Sequence, residues 1–523
     1  MIKKMIQRLR GRNHGAASVL GVRREYAAAE HEINPELVDK HAASVVRTLK
    51  EGGYEAYIVG GAVRDLLLGM RPKDFDVATN ATPEQVKKLF RRAYIIGRRF
   101  RIVHVVFGGG RNRDVVEVST FRALVDHSAE SDIVNGNERT AKARLAGMKH
   151  AVGDSGRVLR DNIWGPQNED AARRDLTINA MYYDPERRLV VDYHGGMQDI
   201  RNGQLRMIGD PMQRYREDPV RVIRAVRFGA KLAGRGFVLA PGTAAPLLEA
   251  SALLEAVPQS RLFDEMLKLL LTGHAEASIA QLKQLGLAER IYPLLELVVA
   301  RSELPLVAAA LADTDRRVGE GKPVVPSFLL GCVLWPDVLK RWQQYEADGE
   351  QTVPALHAAI DDTFGAHVGD VSGRGRLGAD MREIWLMQPR FEKRRGKAPL
   401  RMVEQKRFRA AFDFLRLRAG AGEIEQELAD WWQAFGAADG DERERMIQVQ
   451  AEGAPSKRKR RRKSQKSSRN PQQESTDTRA RHDEPPAAQE QRAQGDGKVP
   501  KQAAHGRRRR SKAGQDSTAV PDN

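Results

Sequence analysis

Two consecutive glycines at a strand-to-helix junction, followed closely by two aspartates one residue apart, constrain this chain more than any other feature. Tyr57, Ile58 and Val59 read as a strand, Gly60 and Gly61 as the turn, and Ala62 to Leu68 as a helix stopped by Gly69. Residues without side chains at such a junction let backbone N–H groups and the helix N-terminus cradle a triphosphate. Arg64 adds a cation for phosphate oxygens. In the segment Lys73 to Val77, Asp74 and Asp76 are spaced to leave one face of a strand while Phe75 and Val77 turn to a core. Paired carboxylates suit Mg²⁺, which binds through one or two acids plus substrate phosphates and water. Two such ions activate an attacking hydroxyl and neutralise a leaving pyrophosphate. Alone, the aspartate pair reads as an exposed strand edge with solvated acids; the glycine turn upstream makes Asp74 and Asp76 metal-ligand candidates.

The surrounding pattern is α+β. Asn34, Pro35 and Glu36 read as a helix start, and apolar residues from Leu37 to Leu49 keep helical spacing until Gly52 and Gly53. Short strand-like runs follow at Phe75 to Ala78, Tyr94 to Ile96, Val103 to Phe107 and Val115 to Val118, with a helix start at Thr82, Pro83 and Glu84. Residues 123–156 are polar without apolar period and read as a mobile insertion. Leu189 to Tyr193 closes a mixed α/β domain spanning 34–209. Beyond Asp210 helical periodicity dominates, as in Asp218 to Leu232, Arg261 to Leu271, Ala277 to Leu285 and Phe408 to Leu417. Helical domains are expected over 210–300 and 301–453. Residues 454–523 lack the apolar content to offset chain entropy and are expected to be a disordered basic tail. Residues 1–33 read as a basic, disordered leader; its first dozen residues also have the pattern of a short amphipathic helix for an anionic membrane surface.

A formal charge of +18 and a pI near 9.9 point to a polyanionic partner rather than an acidic protein or a neutral metabolite. From Ser456 onward 19 Lys and Arg stand against 8 Asp and Glu, so a net +11 lies in the tail. Such runs release counterions on binding RNA and give salt-sensitive, sequence-independent affinity. The single cysteine, Cys332, lies in an apolar run, which excludes a disulfide scaffold and fits a reducing, cytoplasmic setting. No apolar stretch is long enough to span a bilayer.

Gly60, Gly61, Arg64 and Asp65, then Leu68, Gly69, Asp74 and Asp76, together resemble the nucleotide-transfer signature of the DNA polymerase beta superfamily, in its bacterial poly(A) polymerase and tRNA CCA-adding branch. Arg173, Arg174, Asp175, Thr177, Asn179 and Ala180 resemble that branch's second motif, which implies that Arg174 and Asp175 contact the incoming nucleotide. Asp175 can accept from a ribose hydroxyl or stand as a further acid beside the metals; its plain alternative is a helix cap. Glu117, between Val116 and Val118, is a rival third carboxylate, ranked here after Asp175. Glu217, Asp218 and Arg221 resemble the motif in which side chains replace a template by reading the nucleobase. As a bland alternative, Glu217 and Arg221 have the spacing of a helix-surface ion pair.

The resemblance implies a nucleotidyltransferase palm, two Mg²⁺ ions, ATP as substrate, RNA 3′ ends as partner and, by further analogy, RNA-decay proteins, the chain acting as a monomer. Between the branch's two activities, the segment Ile95 to Phe107, with Arg98, Arg99, Arg101 and His104, resembles one that marks poly(A) polymerases. Arg390 to Lys397 with Phe408 to Leu415 resembles their arginine-rich C-terminal domain. The expected activity is therefore template-independent addition of AMP to RNA. CCA addition to tRNA is the first alternative and non-catalytic RNA binding the second.

Overall fold

The computed structural model describes residues 20–97, 101–109, 112–124, 133–134, 150–153, 158–161, 163–289, 291–367 and 375–452. The amphipathic start of the leader, Arg98 and Arg99, most of the 123–156 insertion and the basic tail lie outside the described residues. The chain divides into two units, Met1–Pro455 and Ser456–Asn523, the second of which also lies outside them.

The first half is built on one sheet. Its strands are β1 (Arg24–Ala27), β2 (Ala56–Val59), β3 (Asp76–Thr79), β4 (Ala93–Ile96), β5 (Ile102–Gly109) and β6 (Asn112–Thr120). Within the insertion run β7 (Ile133–Val134) and β8 (His150–Gly153), and after it β9 (Val158–Asp161), β10 (Tyr182–Asp184) and β11 (Leu189–Asp192). The main sheet has the order β1-β11-β10-β2-β3-β6-β5-β4, antiparallel except for the parallel pair β3 and β6. Along β2 the side chains alternate between two cores: Ala56 and Ile58 pack with Val77, Val103 and Val118, whereas Tyr57 and Val59 pack with Phe121, Tyr182 and Val191.

Helix α1 (Lys40–Glu51) packs Val45, Val46 and Leu49 into the first core. α2 (Gly61–Leu67) follows the glycine turn, and α3 (Pro83–Leu89) starts at Thr82 with a reciprocal cap between Thr82 and Gln85.

The helical half comprises α4 (Pro211–Glu217), α5 (Arg221–Ala233), α6 (Gln259–Leu270), α7 (Pro305–Gly319), α8 (Pro326–Ala347), α9 (Gly375–Met387), α10 (Phe408–Gly420) and shorter helices between them. One continuous core runs from Leu176 and Met207 through Val226, Leu269 and Leu311 to Trp335, Trp385 and Phe414. A smaller core around Phe391, Met402, Trp432 and Phe435 completes it. Cys332 is buried in α8, where burial raises its thiol well above the ordinary range. Among the described residues no helix is long and apolar enough to cross a membrane.

Three expectations are corrected. The leader is not wholly unstructured, because Arg24–Ala27 pairs with Leu189–Asp192 at the sheet edge. The helix expected from Asn34 is only a 3₁₀ turn, Pro35–Leu37; α1 begins at Lys40, where the Asp39 carboxylate accepts from the N–H groups of His41 and Ala42 at 2.9 Å. The insertion carries strands, β7 parallel to β8 and β8 antiparallel to β9.

Candidate active site

Gly60 has φ +70° and ψ −131° and ends β2 in a conformation that an L side chain rarely adopts. A Cβ there would meet Arg174 Nη1 at 3.2 Å, so the absence of a side chain also admits that guanidinium. A cavity of about 380 Å³ opens over this turn. Gly60, Gly61, Arg64 and Asp76 line it from the sheet half; Arg173, Arg174, Asp175 and Asn179 line it from the segment before β10. Asp218, Arg221, Arg224 and Phe228 complete it from the α4–α5 junction and α5. Asp74 and Glu217 do not line it.

Asp74 lies at a bend before β3, and Asp76 is the first residue of the strand, so the strand starts one residue later than the sequence pattern suggests. Phe75 and Val77 pack into the core. Asp76 is register partner to Glu117 on the parallel strand β6, which puts those two carboxylates side by side. Glu117 also contacts the His104 ring at 3.1 Å. The Asp76 carboxyl is pushed up to about 6, chiefly by loss of hydration and then by repulsion from Glu117 and Asp74, against the attraction of Arg174. Crowded, mutually repelling acids of this kind are relieved by a divalent cation. Among the described residues no three metal-binding side chains gather closely enough to wrap an ion by themselves.

Opposite the acids stands a cluster of arginines. Burial, followed by repulsion from Arg122, Arg214, Arg221 and Arg174, lowers Arg173 to about 9. Arg174 is held by Asp170 at 3.2 Å and stacks its guanidinium over Tyr182. Arg64 donates to Asp65 at 2.7 Å and to Asn179 at 2.8 Å, with the Phe228 ring beneath it. Packed cations that repel one another in a partly dehydrated cavity favour a polyanion such as a triphosphate.

Asp175 is buried. Its Oδ1 accepts from Leu176 N at 2.9 Å, and its Oδ2 pairs with Arg224 at 2.6 Å. Burial works to raise its carboxyl, but Arg224, the Leu176 N–H and Arg221 outweigh that and hold it at about 2. The folded state thus prefers ionised Asp175, so its stabilising contribution is full above the ordinary value of 3.8 and disappears as pH falls through about 2. Urea midpoints measured from pH 5 to 2 should show wild type more stable than Asp175→Asn at pH 5, with the gap closing between about 4 and 2. A gap independent of pH excludes this titration.

The base-reading candidates form a network. Glu217 ends α4 and Arg221 begins α5, across a break at Asp218, Pro219 and Val220, so they are not an ordinary pair on one helix surface. Glu217 Oε2 accepts from Arg214 Nη1 at 2.7 Å and from Arg221 Nη1 at 3.2 Å. Arg214 Nη2 donates to the carbonyls of Arg173 and Arg174, each at 2.7 Å. Asp218 is paired to Arg261 of α6 at 2.8 Å. Arg101 pairs with Glu84.

Arg214 and Phe228 escaped the sequence reading, and Asn179 was read there only as part of the second motif, without the contact to Arg64. Phe228 had a signal, since it lies two helical turns beyond Arg221 on the same face. Arg214 had only its position one turn before Glu217, which any surface arginine shares.

Residues 56–206 match the poly A polymerase head domain, residues 236–298 the probable RNA and SrmB-binding site of polymerase A, and residues 348–466 the polymerase A arginine-rich C-terminus. The chain is similar to Poly(A) polymerase I of Haemophilus influenzae, 40% identical over 433 residues that cover 81% of this chain and 90% of that one. Against Poly(A) polymerase I of Salmonella typhi the identity is 40% over 440 residues, 82% and 89% of the two chains. A CCA-adding enzyme of Bacillus subtilis is 33% identical over 329 residues, 62% of this chain and 72% of the other. With its glycine turn, acidic strand and helical halves matched over most of their length, the chain belongs to the bacterial poly(A) polymerase family.

Proposed function

We propose that this chain transfers AMP from ATP to RNA 3′ ends without a template, at the cavity over Gly60 and Gly61. The observation that carries the proposal is the convergence on one cavity of an acidic strand, an anion-binding turn with buried arginines, and a polar segment suited to a nucleobase edge.

The backbone at Gly60 and Gly61, with Arg64, Arg173 and Arg174, binds the triphosphate. Asp74 and Asp76 hold Mg²⁺, and Glu117, the register partner of Asp76, is the further acid nearest that site. Bound there, two ions would lower the pKa of the RNA 3′-hydroxyl and neutralise charge on the departing pyrophosphate. Asp175, whose charge is already matched by Arg224, keeps lone pairs free to accept from a ribose hydroxyl and is assigned to the nucleotide. Asp218 accepts from the exocyclic amine of adenine and Arg221 donates to a ring nitrogen, while Glu217 fixes the orientation of Arg221. The basic tail supplies sequence-independent affinity for RNA, in a cytoplasmic setting consistent with one buried thiol.

The full chain, incubated with a generic RNA primer, Mg²⁺ and each NTP in turn, should give long homopolymer extension with ATP and little with CTP. Equal use of CTP, or arrest after one adenylate on a tRNA lacking its 3′ end, refutes the proposal in favour of CCA addition.

A further inference from the structure

Away from the active-site cavity, a cleft of about 220 Å³ opens where the turn between α7 and α8 meets α9 and the start of α10. That is below the roughly 300–1,000 Å³ of pockets enclosing a whole drug-sized ligand, but enough for one planar ring. Its walls are of two kinds. Val324, Val325, Phe328 and Ile384 are apolar, and Val325 leaves 48% of its surface exposed. Arg317, Lys406, Arg407 and Arg409 bring positive charge against the carboxylates of Asp313, Asp380 and Asp413. Arg407 is engaged by Asp380, and Arg317 donates to the Pro323 carbonyl at 3.2 Å. Lys406 and Arg409 are exposed and have no ion pair among the described residues. A second depression of about 500 Å³, bordered by Arg390 and Gln405 and also by Glu383 and Glu404, shares Lys406 and Arg407 with the cleft.

We infer that this cleft takes one unstacked base of the RNA upstream of the growing 3′ end, with Lys406 and Arg409 on the flanking phosphates. The inference rests on reading the chain as an RNA-tailing enzyme. An apolar slot flanked by two exposed cations without ion pairs among the described residues suits single-stranded nucleic acid, since every base offers a π-face and every linkage a negative charge. Covering Val325 and Phe328 removes apolar surface from water. A purine offers the larger ring face to Val325 and Phe328, which favours adenine over uracil, and adenine is the base the proposed reaction adds. An end that already carries adenylates would therefore be held more tightly than a bare one.

The test measures binding of labelled oligo(A) and oligo(U) of equal length to the full chain across a salt series, for wild type, Lys406→Ala/Arg409→Ala and Val325→Asp. Val325 is half-exposed and Lys406 and Arg409 have no ion pair among the described residues, and thermal melts establish that each variant is folded. The double variant should bind oligo(A) about tenfold more weakly, with the slope of log affinity against log salt reduced by about 1.4, the amount for two single-strand phosphates. Val325→Asp should weaken oligo(A) more than oligo(U). Unchanged oligo(A) binding in both variants, or equal loss of both oligomers in Val325→Asp, overturns the inference. So does competition by free ATP that erases the difference between wild type and variants, because it assigns the cleft to a mononucleotide. AMP incorporation by wild type is followed in parallel. Incorporation without selective binding refutes the cleft alone, and selective binding without incorporation refutes the enzymatic reading alone.

Discussion

Asp76→Ala is expected to lower AMP incorporation at least a thousandfold, about 4 kcal/mol at 1.36 kcal/mol per tenfold, while leaving RNA binding intact. Asp76 lines the cavity and packs no core, so its removal should change chemistry rather than folding. Asp74→Ala should behave likewise, because both acids are assigned to Mg²⁺ and neither is engaged elsewhere in an ion pair among the described residues. Single-turnover incorporation across a Mg²⁺ titration separates the remaining acids. Glu117→Gln should raise the Mg²⁺ concentration needed for half-maximal rate, since Glu117 neighbours Asp76 on β6. Asp175→Asn should raise the KM for ATP with little change in Mg²⁺ requirement, since its charge is spent on Arg224. The reverse pattern would make Asp175 the third metal carboxylate and remove Glu117 from that role.

Glu217→Ala should be the most damaging change in the base-reading segment, for a different reason. Its carboxylate is shared by Arg214 and Arg221, whose side chains are only 9% and 13% exposed. Removing one partner of a buried ion pair leaves the other charge without compensation, at a cost of about 3–5 kcal/mol. With 19% of the Glu217 side chain open to water and two cations left to repel each other, about 3 kcal/mol is expected in the urea midpoint. Function should change as well: Arg221, released from Glu217, loses its fixed orientation, so the preference for ATP over CTP should fall. Glu217→Gln keeps the shape and one acceptor and should lose less of both. Full selectivity in a destabilised Glu217→Ala would show that the network supports folding alone.

The parts most legible in the sequence were those written in neighbouring residues. The glycine turn, the spacing of Asp74 and Asp76, and the helical periods of α5, α6 and α10 depend on local backbone geometry, which a short window of chain carries. Boundaries were less legible where polar residues compete for a cap. Asn34, Pro35 and Glu36 look like a helix start, yet Asp39 is the residue whose carboxylate meets the first free N–H groups of α1. The strand in the leader was invisible because Arg24–Ala27 has little apolar pattern of its own and is fixed by pairing with Leu189–Asp192.

The sequence by itself determined the family resemblance, the α+β order, the acidic strand and the charge that calls for a polyanion. Only the tertiary structure decided how those acids and bases are partnered. Glu117 lies 41 positions beyond Asp76 and becomes its neighbour through one parallel strand pair. Asp175 meets Arg224, and Glu217 is clasped by Arg214, because α4 and α5 pack against the segment before β10. Pairings of this kind have no period along the chain. They follow from which surfaces the two cores bring together, and they separate a carboxylate available to a metal from one already neutralised.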